Sequence, residues 1–137
     1  MAHEIITAPE LAEPVGYAHA VAAAPGRLVH LGGQTALNAD GEIVGEGLVE
    51  QLDQAAGNVV AALRAAGGVP EDIVSMQLFV TDVPAYRAQL PALGRVWRRH
   101  FGHNYPASGL FGVTRLFDDA AMIELMAVAV IAQERDA

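Results

Sequence analysis

The sequence predicts an α+β protein in which two helices cover one face of a sheet. Three observations support this: apolar residues alternate with period two in several short runs, two longer stretches have helical spacing, and the last run is apolar on both faces. The order of predicted elements is β-β-α-β-α-β-β, and two helices can cover only one face of such a sheet. A chain of 137 residues is the length of one ordinary domain, so we expect a single domain over residues 1–137.

The first elements are a hairpin and a helix. Residues 17–35 (YAHAVAAAPGRLVHLGGQT) contain two runs of strand length on either side of APGR, which predicts a β-hairpin. A second turn, NADGE at residues 38–42, follows. Residues 48–66 then place leucine, valine and alanine at helical spacing, and Gly67, Gly68 and Pro70 end that helix.

The middle of the chain reads as a strand followed by a helical stretch. Residues 73–81 (IVSMQLFVT) alternate with period two and predict a strand. Asp82 followed by Pro84 resembles an N-cap with proline in the first turn. The helical stretch continues to Phe101, and we expect Pro91 to kink or divide it.

The last two predicted strands indicate that the protein self-associates. Residues 108–116 (SGLFGVTRL) and 122–131 (MIELMAVAVI) are separated by a turn and are expected to pair with each other. The final strand is apolar on both faces, which does not suit an antiparallel sheet covered on one side only. We therefore expect a homo-oligomer in which sheet faces pack together.

Composition excludes several kinds of chemistry. The chain has no cysteine and no lysine, which excludes disulfides, thiolate sites, Schiff-base lysines and a P-loop lysine. A formal charge of -8 disfavours nucleic acid, and the cluster of Arg95, Arg98 and Arg99 has the spacing of a solvated helix face. No apolar run is long enough to span a membrane and no secretory signal is present, so we expect a cytoplasmic protein with no membrane partner.

Glu124 is the most informative candidate for chemistry, because it lies inside the apolar run MIELMAVAVI. A carboxylate there is costly unless it is paired or hydrogen-bonded. Two interpretations stay open: a structural carboxylate that ties subunits together, or a general base that positions water.

Other residue types give weaker indications. Tyr17 could line a pocket or simply pack, and Gly32 and Gly33 within a strand could mark a bulge or a close approach of backbone to a ligand. His100 and His103 have an i, i+3 separation, but Gly102 intervenes and no carboxylate completes a ligand set, so no metal is expected. Neither serine lies in a nucleophile elbow.

Taken together, the segments GYAHAV, LVHLGGQTALNADGEIV, LRAAGGVPEDIVSMQLFVTDVPAY, YPASGLFGVTRL and IELMAVAVI resemble the Rid family, also called YjgF/YER057c/UK114. The resemblance runs from about Gly16 to Ile131 and keeps the order of every motif. It implies a chorismate-mutase-like α+β fold, a homotrimer with inward-facing sheets, and small-molecule clefts between adjacent subunits. Its best-known members are cofactor-independent enamine/imine deaminases.

Carried over residue by residue, the resemblance keeps Tyr17 as a pocket residue and Glu124 as the group that places the attacking water. Two pocket residues differ. The family's carboxylate-binding arginine is similar in position to Ser108, within Pro106-Ala107-Ser108-Gly109, and the family's pocket serine corresponds to Gly32. Arg115 matches a different arginine and is no substitute anchor.

The resemblance, with these two differences, implies a trimer of an arginine-lacking branch with a pocket formed by Tyr17, Gly32, Gly33, Ser108 and Glu124. We expect hydrolysis of an enamine, imine or related compound, with weak or absent activity on ordinary imino acids. The alternative is a non-catalytic trimer that binds a small metabolite or regulates a partner. The ribonuclease activity sometimes attributed to the family fits poorly with the negative charge.

Overall fold

The structure, a computed structural model, describes residues 2–132. The strands in this range are β1 (Glu4–Ile6), β2 (Ala20–Ala22), β3 (Gly26–His30), β4 (Ile73–Val80), β5 (Ala107–Gly112) and β6 (Ile123–Ala132). The helices are α1 (Leu48–Ala65), α2 (Val83–Ala88) and α3 (Leu90–Phe101), with one turn of 3-10 helix at Pro70–Asp72. None of the helices in the described range is long and apolar enough to cross a membrane.

The main sheet has four strands in the order β3-β6-β4-β5. Strand β6 is antiparallel to both of its neighbours, whereas β4 and β5 are parallel. Parallel neighbours need a crossover, and α2 with α3 supplies it between β4 and β5. The long final strand therefore lies inside the sheet and touches both halves of the chain.

The helices cover one face of this sheet. Odd-numbered residues of β6 face them, and Ile123, Leu125 and Ala129 have no exposed surface. The opposite face, which we call the open face, carries the even-numbered residues of β6 and their neighbours in register. Its larger side chains are Leu28, Phe79, Phe111, Glu124, Met126, Val128 and Val130. The predicted α+β architecture is confirmed.

Elements with strong local patterns begin and end close to the predicted residues. Helix α1 ends at Ala65 and β4 covers Ile73–Val80, as the periodicity predicted. The Asp82 carboxylate accepts a hydrogen bond from the Ala85 amide at 2.9 Å, which confirms the predicted cap. The helical stretch is divided at Gln89, two residues before Pro91, so the predicted break is also confirmed.

The predicted hairpin within residues 17–35 is wrong. Strand β2 pairs with the N-terminal strand β1 in a separate two-stranded sheet, and β3 pairs with β6 in the main sheet. The His3 ring holds this arrangement: Nδ1 accepts from the Ala24 amide at 2.9 Å and Nε2 donates to the Val130 carbonyl at 2.9 Å. The chain does turn between β2 and β3, but these two strands pair with β1 and β6 rather than with each other.

The predicted pairing of the last two strands is also wrong. Strand β5 pairs only with β4 in the described residues, and β6 occupies the space between β3 and β4. The reason is geometric, because the crossover through α2 and α3 returns the chain parallel to β4 and leaves β5 at the edge.

Gln51 connects α1 to the loop that precedes this helix and to the loop that precedes β6. Its amide nitrogen donates to the carbonyls of Gly45 and Ala120, and its oxygen accepts from the Met122 amide at 2.8 Å. The side chain is buried and all three contacts are to backbone. Gln51 thereby fixes the segment that leads into β6 and Glu124.

Candidate functional site

Glu124 lies on the open face beside the segment that follows β3. The Gln34 and Leu125 backbones exchange hydrogen bonds at 2.8 and 2.9 Å, which brings Gly33 next to Glu124. A Cβ atom built on Gly33 would meet the Glu124 carboxylate directly. Glycine at position 33 therefore makes room for this carboxylate.

The Glu124 carboxylate has no hydrogen bond or ion pair within residues 2–132, and its side chain is only half-buried. Its place on the open face explains how a charged residue is accommodated in an otherwise apolar strand. The carboxylate is available to accept a hydrogen bond from water or a ligand.

Tyr17 and Ser108 come together at the opposite edge of the sheet. The Ala18 amide donates to the Pro106 carbonyl at 3.2 Å, which holds the loop containing Tyr17 against the start of β5. Tyr17 is 39% exposed, and both residues line a cavity between β5 and the helices. The contact places Tyr17 next to the Pro106-Ala107-Ser108 segment.

The five predicted site residues form two separate groups within one chain. Ser108 is in register with Met76, whose side chain is buried beneath the helices, while Glu124 is in register with Phe79 on the open face. Three residues along the strands and two strands across separate these positions by about 14 Å. The single pocket containing Tyr17, Gly32, Gly33, Ser108 and Glu124 is not assembled by one chain.

The cavity beside Tyr17 and Ser108 has a volume of about 730 Å³. We call it the helix-side pocket. It is lined by Pro14, Val15, Gly16, Tyr17, Leu78, Tyr86, Leu90, Leu93, Gly94, Trp97, Arg98, Tyr105, Ser108, Gly109 and Leu110. A second cavity of about 530 Å³ lies on the open face between His30, Gln77 and Phe111.

Sequence reasoning missed the contribution of α2 and α3 to the helix-side pocket. Tyr86, Leu90 and Gly94 follow one another at four-residue spacing, and Trp97 and Arg98 continue the same stripe. That spacing was the available indication, but the spacing of the basic cluster places Arg98 only on a solvated helix face. Burial raises the pKa of the Tyr86 phenol, which stays protonated at neutral pH.

Two other basic residues of α3, Arg99 and His100, share a structural partner. The Asp53 carboxylate on α1 accepts from Arg99 at 2.9 Å and lies 2.6 Å from His100 Nε2. The hydrogen bond to His100, aided by the Arg99 charge, holds the pKa of Asp53 below its usual value. Within residues 2–132, no group of three or more His, Asp or Glu side chains could hold a metal ion.

Fold and site together define a class of α+β proteins that cover one face of a mixed sheet with helices and carry small cavities along its edges. A family model described as Endoribonuclease L-PSP matches residues 7–131. The chain belongs to this family, the Rid or YjgF/YER057c/UK114 family, as its motifs predicted.

Two relatives by sequence illustrate the range of the family. The chain is 30% identical over 129 residues to a 2-iminobutanoate/2-iminopropanoate deaminase of Dermatophagoides farinae, covering 93% of this chain and 95% of the relative. It is 29% identical over 131 residues to a RutC family protein of Pyrococcus abyssi, covering 94% and 98%. Some relatives in this family are therefore named imine deaminases, and others carry only a family name.

Two solved structures share the fold. The Rid family protein YyfB of Yersinia pestis, whose function is described as unknown, superimposes with a TM-score of 0.85 at 32% identity over 96% of this chain and 100% of that one. The YjgF protein of Escherichia coli gives a TM-score of 0.68 at 29% identity, covering 85% and 88%.

Proposed function

We propose that the protein is an enamine/imine deaminase-type hydrolase that needs no cofactor and acts in clefts between adjacent subunits of a homotrimer. One observation carries the proposal: the half-buried Glu124 carboxylate lies against Gly33 with no hydrogen bond or ion pair in the described part of the chain. Relatives named as imine deaminases support the same chemistry.

In the proposed reaction, water adds to the carbon of a C=N bond. Glu124 accepts a hydrogen bond from the water and takes its proton as the new C–O bond forms. Glu124 then gives this proton to the substrate nitrogen, and ammonia leaves as the C–N bond breaks. The hydroxyl proton passes back to the Glu124 carboxylate as the C=O bond of the product forms. Tyr17, Gly32, Gly33 and Ser108 bind the substrate around this carbon.

A trimer would bring the two groups of site residues together. The open face is apolar, and Leu28, Phe111 and Met126 are 59%, 47% and 41% exposed in the single chain. Packing this face against a second copy would remove apolar surface from water. Glu124 from one subunit would then meet Tyr17 and Ser108 from its neighbour.

Because Ser108 stands where the family has its carboxylate-binding arginine, we propose a substrate that differs from the small imino acids. A bidentate arginine–carboxylate contact in a partly dry cleft is worth on the order of 2–4 kcal/mol, or roughly 30- to 1000-fold in transition-state binding. A serine hydroxyl supplies less. We therefore expect weak or absent activity on the small imino acids that arginine-containing members hydrolyse.

The test measures hydrolysis of a panel of imino acids with small and bulky side chains, generated in situ by an amino-acid oxidase. We expect Glu124→Gln to lose turnover at least 100-fold, because the variant cannot take the proton. Glu71→Gln, which neutralises an exposed carboxylate in the 3-10 turn, is the matched control and should keep wild-type rates. Ser108→Arg should gain activity on the smallest imino acids.

Unchanged turnover in Glu124→Gln would remove this residue from the mechanism. If no imine is hydrolysed but a small metabolite raises the unfolding temperature and is recovered unchanged, the protein is a non-catalytic binder instead.

An RNA substrate is not proposed, although the matching family model carries an endoribonuclease description. The formal charge of -8 opposes binding to a phosphate backbone. Specific RNA cleavage that Glu124→Gln abolishes would overturn this part of the proposal.

A further inference from the structure

The helix-side pocket combines aromatic walls with one cation. Tyr17, Tyr86, Trp97 and Tyr105 all line it. The Trp97 and Tyr105 rings are 5° from parallel, with centroids 6.2 Å apart, and Trp97 Nε1 donates to the Asn104 carbonyl at 3.2 Å. These contacts hold the Trp97 and Tyr105 rings in place, so this part of the apolar wall is formed before a ligand binds.

Arg98 is the only basic residue of the pocket lining in the described residues, and no acidic residue accompanies it there. Its guanidinium lies over Gly94, since a Cβ built on Gly94 would be 3.3 Å from Arg98 Nη1. The absent side chain at position 94 thus leaves the space that the guanidinium occupies beside the pocket.

Arg98 also has no partner, in contrast to its neighbour. Arg99 bonds to Asp53 at 2.9 Å, whereas Arg98 makes no ion pair or hydrogen bond within residues 2–132. A guanidinium with five free donors next to apolar rings is suited to a carboxylate attached to a flat apolar group.

We propose that the helix-side pocket binds a carboxylate with a bulky, preferably aromatic body, and that Arg98 holds the carboxylate. Ser108 lines the same pocket, so the anchor is on α3 rather than on β5. The consequence for substrate rests on the proposed function: the imine hydrolysed would be an imino acid with a large apolar side chain rather than a small one.

The pocket's size agrees with this class of ligand. About 730 Å³ lies within the range of cavities that enclose drug-sized molecules, and far exceeds what a three-carbon acid would fill. A small acid would reach Arg98 but leave the aromatic wall uncovered, so the aromatic wall selects for the larger molecule.

The experiment measures binding by isothermal titration calorimetry with three probes: 3-phenylpropionate, its neutral amide, and propionate. Fluorescence of Trp97, the single tryptophan of the chain, is the second readout because this residue lines the pocket. We expect 3-phenylpropionate to bind most tightly and to change the fluorescence, with the amide and propionate each weaker by roughly 10-fold or more.

The variants compare two arginines of the same helix. Arg98→Gln should weaken 3-phenylpropionate roughly 10-fold and leave the amide unchanged, because only the acid uses the charge. Arg95→Gln removes the same charge from another exposed residue of α3, one that does not line the pocket, and should bind like wild type. Circular dichroism checks that both variants are folded.

Three binding results would overturn the proposal: equal affinities for acid and amide, an unchanged affinity in Arg98→Gln, or binding heat without a fluorescence change.

A parallel turnover assay compares imino acids made from phenylalanine and from alanine. Turnover that needs Glu124 but does not depend on Arg98 would sink this inference and leave the proposed function standing. Binding that depends on Arg98 without any turnover would support this inference and overturn the proposed function.

Discussion

At the scale of single residues, two glycines that are adjacent in sequence have different surroundings. A Cβ on Gly33 would collide with the Glu124 carboxylate, whereas a Cβ on Gly32 meets nothing within 4 Å. Position 33 is therefore tied to Glu124 by contact, and position 32 is open. This contrast shows which of the two glycines is in contact with the candidate carboxylate.

We predict that Gly33→Ala lowers imine hydrolysis nearly as much as loss of the Glu124 carboxylate does, because the new methyl group pushes the carboxylate away from its position. The measurement is turnover together with the thermal unfolding temperature. Gly32→Ala is the control for stability and should unfold like wild type. A fully active Gly33→Ala would show that the present position of Glu124 is not needed.

At the scale of elements, α1 and α3 are joined by packing and by one polar cluster. Buried residues of both helices belong to the same core, among them Val59 and Leu63 on α1 and Leu93 and Val96 on α3. At the rim of this contact, Asp53 binds His100 and Arg99. The Asp53 side chain is 43% exposed, so this cluster adds only a few tenths to about 1 kcal/mol.

The lowered pKa of Asp53 predicts how this contribution depends on pH. A carboxyl group whose pKa is lower in the folded state stabilises the fold above its unfolded value, about 3.9, and this is lost as pH falls through the folded value. The free energy of unfolding of wild type minus that of Asp53→Asn should be positive at neutral pH and shrink below about pH 4.

Chemical denaturation across this pH range makes the measurement. Asp40→Asn, in the exposed turn at residues 38–42, is the matched control, since its carboxylate has no ion pair in the described residues. A difference between wild type and Asp53→Asn that grows towards acid pH would contradict the assignment.

At the scale of the whole molecule, the sheet has one face covered by helices and one that is not. Met126 is near the middle of β6 on the open face and is 41% exposed. We predict that Met126→Glu dissociates the proposed trimer of 14.4 kDa chains, because a charge in an apolar interface is costly. Sedimentation velocity gives the assembly mass.

Ala61→Glu, on the exposed side of α1, should sediment like wild type. A wild-type protein that sediments as a single chain at micromolar concentration would refute the trimer. It would also leave Glu124 far from Tyr17 and Ser108, so the proposed cleft would have to be abandoned with it.

Local sequence patterns were enough to predict the helices, the strand Ile73–Val80, the Asp82 cap, the break before Pro91 and the family. These are local features, because a helix bonds each residue to one four positions away and a cap acts within one turn. The motifs that carry the family resemblance are likewise short runs of adjacent residues.

The pairing of the strands, and therefore the position of each site residue, depends on long-range packing. It placed β6 between β3 and β4, separated Glu124 from Ser108, and brought Trp97 and Arg98 to the pocket of Tyr17. Strand hydrogen bonds and pocket walls join residues that are distant in sequence, and several partners satisfy the same alternating pattern. Core packing and crossover geometry, which no short segment contains, select among them.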